Sequence, residues 1–247
     1  MRQRTPARFD ILRGSSVRVR RFALRGESTL RRGSAHITTV RPGRSACAPS
    51  PLFRRASGRA EFHSWPGMSS PGQFPADRGT EVAFVGRSNA GKSTAINVIV
   101  QRQGLARASK TPGRTRLLNF FELGPMQRIV DLPGYGYATA PEAERRTWQP
   151  LINALAARSS LRGWFLIVDA RRGIASGDYA LLEWAAADHR VHVLLSKADK
   201  LNRSEAAKVL KSSQATLAGR GTVQLFSATA KTGLDEAQRT LEEWLRQ

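Results

Sequence analysis

Gly86-Arg87-Ser88-Asn89-Ala90-Gly91-Lys92-Ser93 follows a short apolar run that begins at Glu81 and precedes an amphipathic stretch of helical length. The segment fits GxxxxGK[ST] in the strand, loop, helix setting that gives the pattern its meaning. Its glycines let the backbone curl so that successive N–H groups and the helix start face phosphate oxygens. Lys92 adds a point charge and Ser93 a hydroxyl suited to Mg²⁺. A phosphate-cradling loop at the end of a strand implies an α/β fold built on a mostly parallel sheet.

The rest of the chain agrees. Short apolar runs predict strands at Glu81–Val85, Leu117–Glu122, Gln127–Asp131, Trp164–Asp169, Val191–Ser196 and Val223–Ser227. Helical stretches follow at Lys92–Gln103, Pro141–Arg158, Asp178–Asp188, Ser204–Leu217 and Leu234–Leu245. Alternation of this kind signals a parallel sheet with helices on both faces. Gly124-Pro125 sits between the second and third strands, too short a link for a crossover helix, so that pair should be an antiparallel hairpin. The expectation is six strands, one of them antiparallel, with ligand-binding loops at the carboxyl ends of the parallel strands.

Composition limits the alternatives. The chain has 247 residues, 40% of them apolar, enough for one core of ordinary size with an appendage. A single cysteine, Cys47, excludes a disulfide framework and a thiolate zinc cluster, and the four histidines show no metal-ligand spacing. No apolar run approaches the roughly 20 residues that cross a bilayer. Net charge is +21, a field that favours polyanions such as nucleic acid or that simply keeps the chain soluble. Residues 1–58 carry 14 arginines, no lysine and two acids.

Residues 1–78 lack apolar periodicity and are broken by Gly, Pro and Ser, so they read as a disordered extension ahead of a domain at 79–247. Three origins fit the extension: an organellar transit peptide, a basic arm on RNA, or untranslated upstream sequence with initiation further in, for example at Met68.

Further motifs complete a site. Asp131-Leu132-Pro133-Gly134 closes a strand, where a carboxylate can reach a Mg²⁺ shell and a glycine N–H a terminal phosphate. Lys110-Thr111-Pro112-Gly113-Arg114-Thr115, continued by Arg116 and Leu117, is a turn-rich loop that reads as a nucleotide-sensing switch or a plain connection. Ser196-Lys197-Ala198-Asp199 ends a strand with a carboxylate able to accept two N–H bonds from guanine, a pair that adenine does not offer. Phe226-Ser227-Ala228 ends the last strand.

GRSNAGKS, KTPGRT, DLPGYGYA, SKADK and FSATAKTG, in this order, closely resemble the EngB family of ribosome-biogenesis GTP-binding proteins, within the TrmE-Era-EngA-EngB-Septin-like P-loop GTPases. The resemblance implies a Ras-like P-loop GTPase fold, GTP and GDP binding, association with the large ribosomal subunit and its rRNA, and a requirement in cell division and septation. It implies that Gly86 to Ser93, Gly113 to Leu117, Asp131 to Gly134, Ser196 to Asp199 and Phe226 to Ala228 contact nucleotide. Ser93 and Thr115 would coordinate Mg²⁺, and Lys92, Thr115 and Gly134 would act on the reacting phosphate. Asn89 stands where K⁺-activated relatives carry an Asn that helps to hold K⁺. Ser196 departs from the family's usual Thr but keeps the hydroxyl, and the Arg-rich leader has no counterpart in the family pattern.

Many small GTPases place a water-orienting Gln after the DxxG glycine, where this chain has Tyr135. Intrinsic GTP hydrolysis is therefore expected to be slow, with acceleration from the ribosome, a cation or an arginine such as Arg114 or Arg116. Five basic residues and no acid lie between Lys92 and Glu122. A GTP-ordered loop there could present charge to rRNA, or the side chains could only solvate it. Two functional readings follow: a GTPase switch in large-subunit assembly, and a GTP-gated rRNA-binding module in which hydrolysis is incidental. An ATPase would require Asp199 to be irrelevant. A monomer in the cytoplasm is expected, or in an organelle if the leader is a transit peptide.

Overall fold

The computed structural model describes residues 63–106, 117–135, 142–175, 178, 179, 181, 182, 185 and 189–247. Strands are β1 (Ser64–Met68), β2 (Thr80–Gly86), β3 (Leu118–Gly124), β4 (Gln127–Asp131), β5 (Leu161–Asp169), β6 (Arg190–Ser196) and β7 (Thr222–Leu225). Helices are α1 (Lys92–Ile99), α2 (Glu142–Ala156), α3 (Arg203–Leu217) and α4 (Leu234–Leu245). Positions 178, 179, 181, 182 and 185, inside the expected Asp178–Asp188 helix, are also helical.

The strands form one sheet in the order β1-β3-β4-β2-β5-β6-β7. β3 pairs antiparallel with both β1 and β4 and is the strand that runs against the rest. The expected hairpin is present, turning at Pro125 and Met126, while β2, β4, β5, β6 and β7 pair in parallel.

The sheet has seven strands where the sequence predicts six. β1 comes from the stretch read as a disordered extension, so order begins ahead of residue 79. Pro66 and Gly67, read there as breakers, are compatible with this edge strand, since Pro is tolerated where no neighbour needs its N–H. The register slips between Trp65 and Met68, where Gly67 takes a φ of 75°. A bulge of this kind is where glycine belongs.

Alternation along the central strands fills both faces. Ala83, Val85, Trp164, Leu166 and Val168 join one core with Leu151 and Leu155 of α2. Val82, Phe84, Phe165 and Ile167 join the other with Ile96 and Ile99 of α1 and Leu241 and Trp244 of α4. Strands buried on both sides read as nearly continuous apolar runs, which is why they were legible. Helix α1 stops at Ile99 rather than at Gln103. Asn97 binds both backbone groups of Ala106, holding the chain in a return turn instead.

Beneath the sheet, Glu81 is fully buried and accepts from Arg128 at 2.9 Å and from Arg158 at 2.6 Å. The two guanidiniums also reach the carbonyls of Pro75, Ala76 and Arg78 and stack against Trp65, Phe74 and Phe120. Asp77 accepts from the backbone N–H groups of Ser159 and Ser160, each at 2.9 Å. These contacts fasten residues 63–79 to the domain at the end opposite the phosphate loop.

Candidate functional site

The loops at the carboxyl ends of β2, β4, β6 and β7 converge on one edge of the sheet. Gly91 caps α1, and Lys92 opens it. The Lys92 ammonium pairs with the Asp131 carboxylate at the end of β4, both largely buried. Burial holds the Asp131 carboxyl above the ordinary range, with Lys92 pulling in the other direction.

The segment after β4 is sewn to the phosphate loop. Tyr135 N–H donates to the Gly86 carbonyl at 3.2 Å, and Ser88 N–H donates to the Tyr135 carbonyl at 3.0 Å. Gly134 passes so close that a Cβ there would stand 3.0 Å from Ser88 Oγ, so a larger residue would push the two strands of chain apart. The Tyr135 hydroxyl donates to Asp178, whose other oxygen accepts Ala175 N–H at 2.8 Å. Burial, then the neighbouring Asp178 charge, raises the Tyr135 phenol well above its ordinary range.

The motif after β6 reaches back to the same loop. Ser196 Oγ donates to the Ala90 carbonyl and, at 3.1 Å, to that of Val168. Lys197, at φ 58°, donates to the Asn89 carbonyl at 2.6 Å and to Asp169 at 3.0 Å. Asp199 accepts from Ser227 Oγ at 2.6 Å, and that bond is the main reason its carboxyl sits below the ordinary range. Ser227 Oγ in turn accepts Ala230 N–H at 3.0 Å, so the hydroxyl is oriented from both sides.

The fold therefore brings together Gly86 to Ser93, Asp131 to Gly134, Ser196 to Asp199 and Phe226 to Ala228. Leu132 and Phe226 send their side chains into the core, and the Phe226 backbone is engaged by Leu195 and Ala198. Leu117 lies elsewhere, its side chain against Gly67 of the edge strand. Gly113, Arg114, Thr115 and Arg116 lie outside the described residues. Asp169 was missed by sequence reasoning. It ends β5 and holds both Lys197 and Arg171, and Arg171 more than any other group keeps its carboxyl well below the usual range. An acid closing a buried strand, as Asp131 does, was the available signal.

Ser93 and Asp131 offer hydroxyl and carboxylate oxygens, hard donors of the kind Mg²⁺ takes alongside phosphate oxygens and water. Among the described residues no group of three His, Cys, Asp or Glu could hold a metal unaided. This donor set fits a Mg²⁺ that arrives with a phosphate ligand. No described helix is long and apolar enough to cross a membrane.

Sheet order, phosphate loop and base-side motif together define a P-loop GTPase domain, and the family model of 50S ribosome-binding GTPases matches residues 81–197. The probable GTP-binding protein EngB of Coxiella burnetii (strain CbuG_Q212) is 46% identical over 179 residues, covering 70% of this chain and 87% of that protein. The probable GTP-binding protein EngB of Burkholderia cenocepacia (strain HI2424) is 48% identical over 180 residues, covering 67% and 82%. A crystal structure of a probable GTP-binding protein engB matches the fold with a TM-score of 0.56 at 22% identity, covering 68% of this chain and 99% of that one. The chain belongs to the EngB family of GTP-binding proteins. Proteins of this GTPase class bind GTP and GDP, hydrolyse GTP and in general use Mg²⁺.

Proposed function

We propose that this chain is a GTP-dependent switch in assembly of the large ribosomal subunit, with slow intrinsic hydrolysis and a consequent role in cell division. The observation that carries the nucleotide reading is the pair of bonds from Ser196 and Lys197 to the Ala90 and Asn89 carbonyls. They fix the base-reading motif against the phosphate loop, so one nucleotide spans both.

In this reading Asp199 accepts the guanine N–H pair, Lys197 lies along the base, and Gly86 to Ser93 hold the phosphates. Lys92 would exchange Asp131 for a phosphate oxygen, and Ser93 and Thr115 would hold Mg²⁺, with the Asp131 carboxylate in reach of its shell. When bound, Mg²⁺ neutralises charge developing between the terminal phosphates. Gly134 N–H faces the terminal phosphate. Slow turnover is supported by Tyr135, whose hydroxyl is committed to Asp178 and is not available to orient water. Asn89, exposed in the phosphate loop, is the residue through which K⁺ would accelerate hydrolysis. The chain acts as a monomer in the cytoplasm.

Co-sedimentation with purified large subunits tests the assembly role. Retention with a non-hydrolysable GTP analogue and release with GDP is expected, and equal retention contradicts it. Single-turnover hydrolysis with and without subunits separates the switch from a binding module in which hydrolysis is incidental. Equal rates in K⁺ and Na⁺ buffers would remove the cation from the account.

A further inference from the structure

Beside the nucleotide site, between the loop after β5 and α3, lies a groove of about 390 Å³. Arg171 and Arg172 on the loop and Lys208 on the helix line it, all exposed. Tyr179 stands on its wall with 39% of its surface exposed, one of two large apolar side chains that the described residues leave open. Ser212 and Thr216 of α3 also line the groove. Thr216 Oγ1 is 3.4 Å from the Tyr179 hydroxyl on the same wall.

The rim acid Glu205 does not oppose the cations directly, since its carboxylate accepts Asn202 N–H at 2.9 Å and closes the start of α3. Arg171 binds Asp169 and still leaves half of its side chain to solvent. The groove thus combines an open aromatic face, a hydroxyl on its wall and a positive rim. Acidic peptide would satisfy the rim alone. A nucleotide satisfies all three, because bases stack on aromatic rings while their edges hydrogen-bond and their phosphates meet cations.

Resting on the reading that the partner is ribosomal RNA, we propose that this groove binds an unpaired RNA segment. One base stacks on Tyr179 with its edge at Thr216, and the flanking phosphates lie on Arg172 and Lys208. The groove is one carboxylate from the base-side lysine, since Asp169 holds Arg171 and Lys197 together.

The test uses the full chain and a short fluorescein-labelled oligouridylate, followed by anisotropy at several salt concentrations. Tyr179→Ala should weaken binding about 5- to 150-fold, the range for loss of one base stack, whereas Tyr179→Phe should retain it. Joint Arg172→Glu and Lys208→Glu should flatten the slope of log affinity against log salt by about 1.4, for two phosphate contacts. With 4-thiouridine in the RNA, crosslinks should map to residues 171–179 or 205–216. Fluorescent GDP is titrated in parallel and should bind every variant equally. Loss of GDP binding by the intact chain would fault the nucleotide reading and leave the groove standing. Unchanged RNA affinity in the variants, crosslinks confined to residues before 63, or equal competition by polyglutamate would overturn the groove.

Discussion

Lys92 and Asp131, 39 residues apart in sequence, meet as a largely buried ion pair at the carboxyl ends of neighbouring parallel strands. In the proposed function the phosphate loop and the end of β4 share a ligand, with a phosphate competing with Asp131 for the same ammonium. Lys92→Met keeps most of the hydrocarbon stem and removes the charge. It should weaken GDP binding about 10- to 150-fold, the range for a hydrogen bond to a charged group, in a titration of fluorescent nucleotide. Undiminished affinity would mean that Lys92 serves only to neutralise Asp131.

Glu81 compensates two arginines under the sheet, far from Gly86 along the same strand. Glu81→Gln leaves the guanidiniums of Arg128 and Arg158 without their shared anion, and breaking a buried pair costs about 3–5 kcal/mol. A large drop in the urea midpoint is expected, with nucleotide affinity per folded molecule unchanged. A drop in that affinity would connect this cluster to the site.

Tyr135 separates support from chemistry. Tyr135→Phe deprives buried Asp178 of a donor and should cost about 1–3 kcal/mol in stability. Intrinsic phosphate release by the folded protein should not change. A slower release at unchanged stability would place the hydroxyl on the attacking water instead.

Asp77 supplies a pH dependence with a definite sign. Burial pushes its carboxyl up, but donors from Ser160 and Ser159 overcome that and hold it well below the ordinary range. A depressed carboxyl contributes its full stabilisation above the unfolded value of about 3.9 and loses it as pH falls further. Urea midpoints should therefore fall below about pH 4, and less steeply in Asp77→Asn. Equal slopes in the two proteins would show that Asp77 does not carry this dependence.

What was legible in the sequence was local. Each phosphate-side and base-side motif is a run of a few residues beside a buried strand, and Gln127–Asp131 and Leu234–Leu245 match their expected bounds. What was not legible depends on partners far along the chain. Glu81 reads as the polar start of a strand until Arg128 and Arg158, 47 and 77 residues away, close on it. Those same arginines hold the carbonyls after β1, so an edge strand interrupted by Pro66 and Gly67 is secured by contacts that local composition does not reveal. Asp169 escaped for a related reason, since its partner Lys197, which ties it to the phosphate loop, follows the next strand 28 residues away.

Guanine selection is proposed to rest on Asp199, which Ser227 orients. The most direct measurement is titration of the intact chain and of Asp199→Asn with fluorescent guanosine, xanthosine and adenosine diphosphates. The intact chain should prefer guanosine and the variant should move its preference to xanthosine, because the amide offers a donor to the oxygen that replaces the guanine amine. Indifference to the base in the intact chain, or an unchanged guanosine preference in the variant, would contradict it.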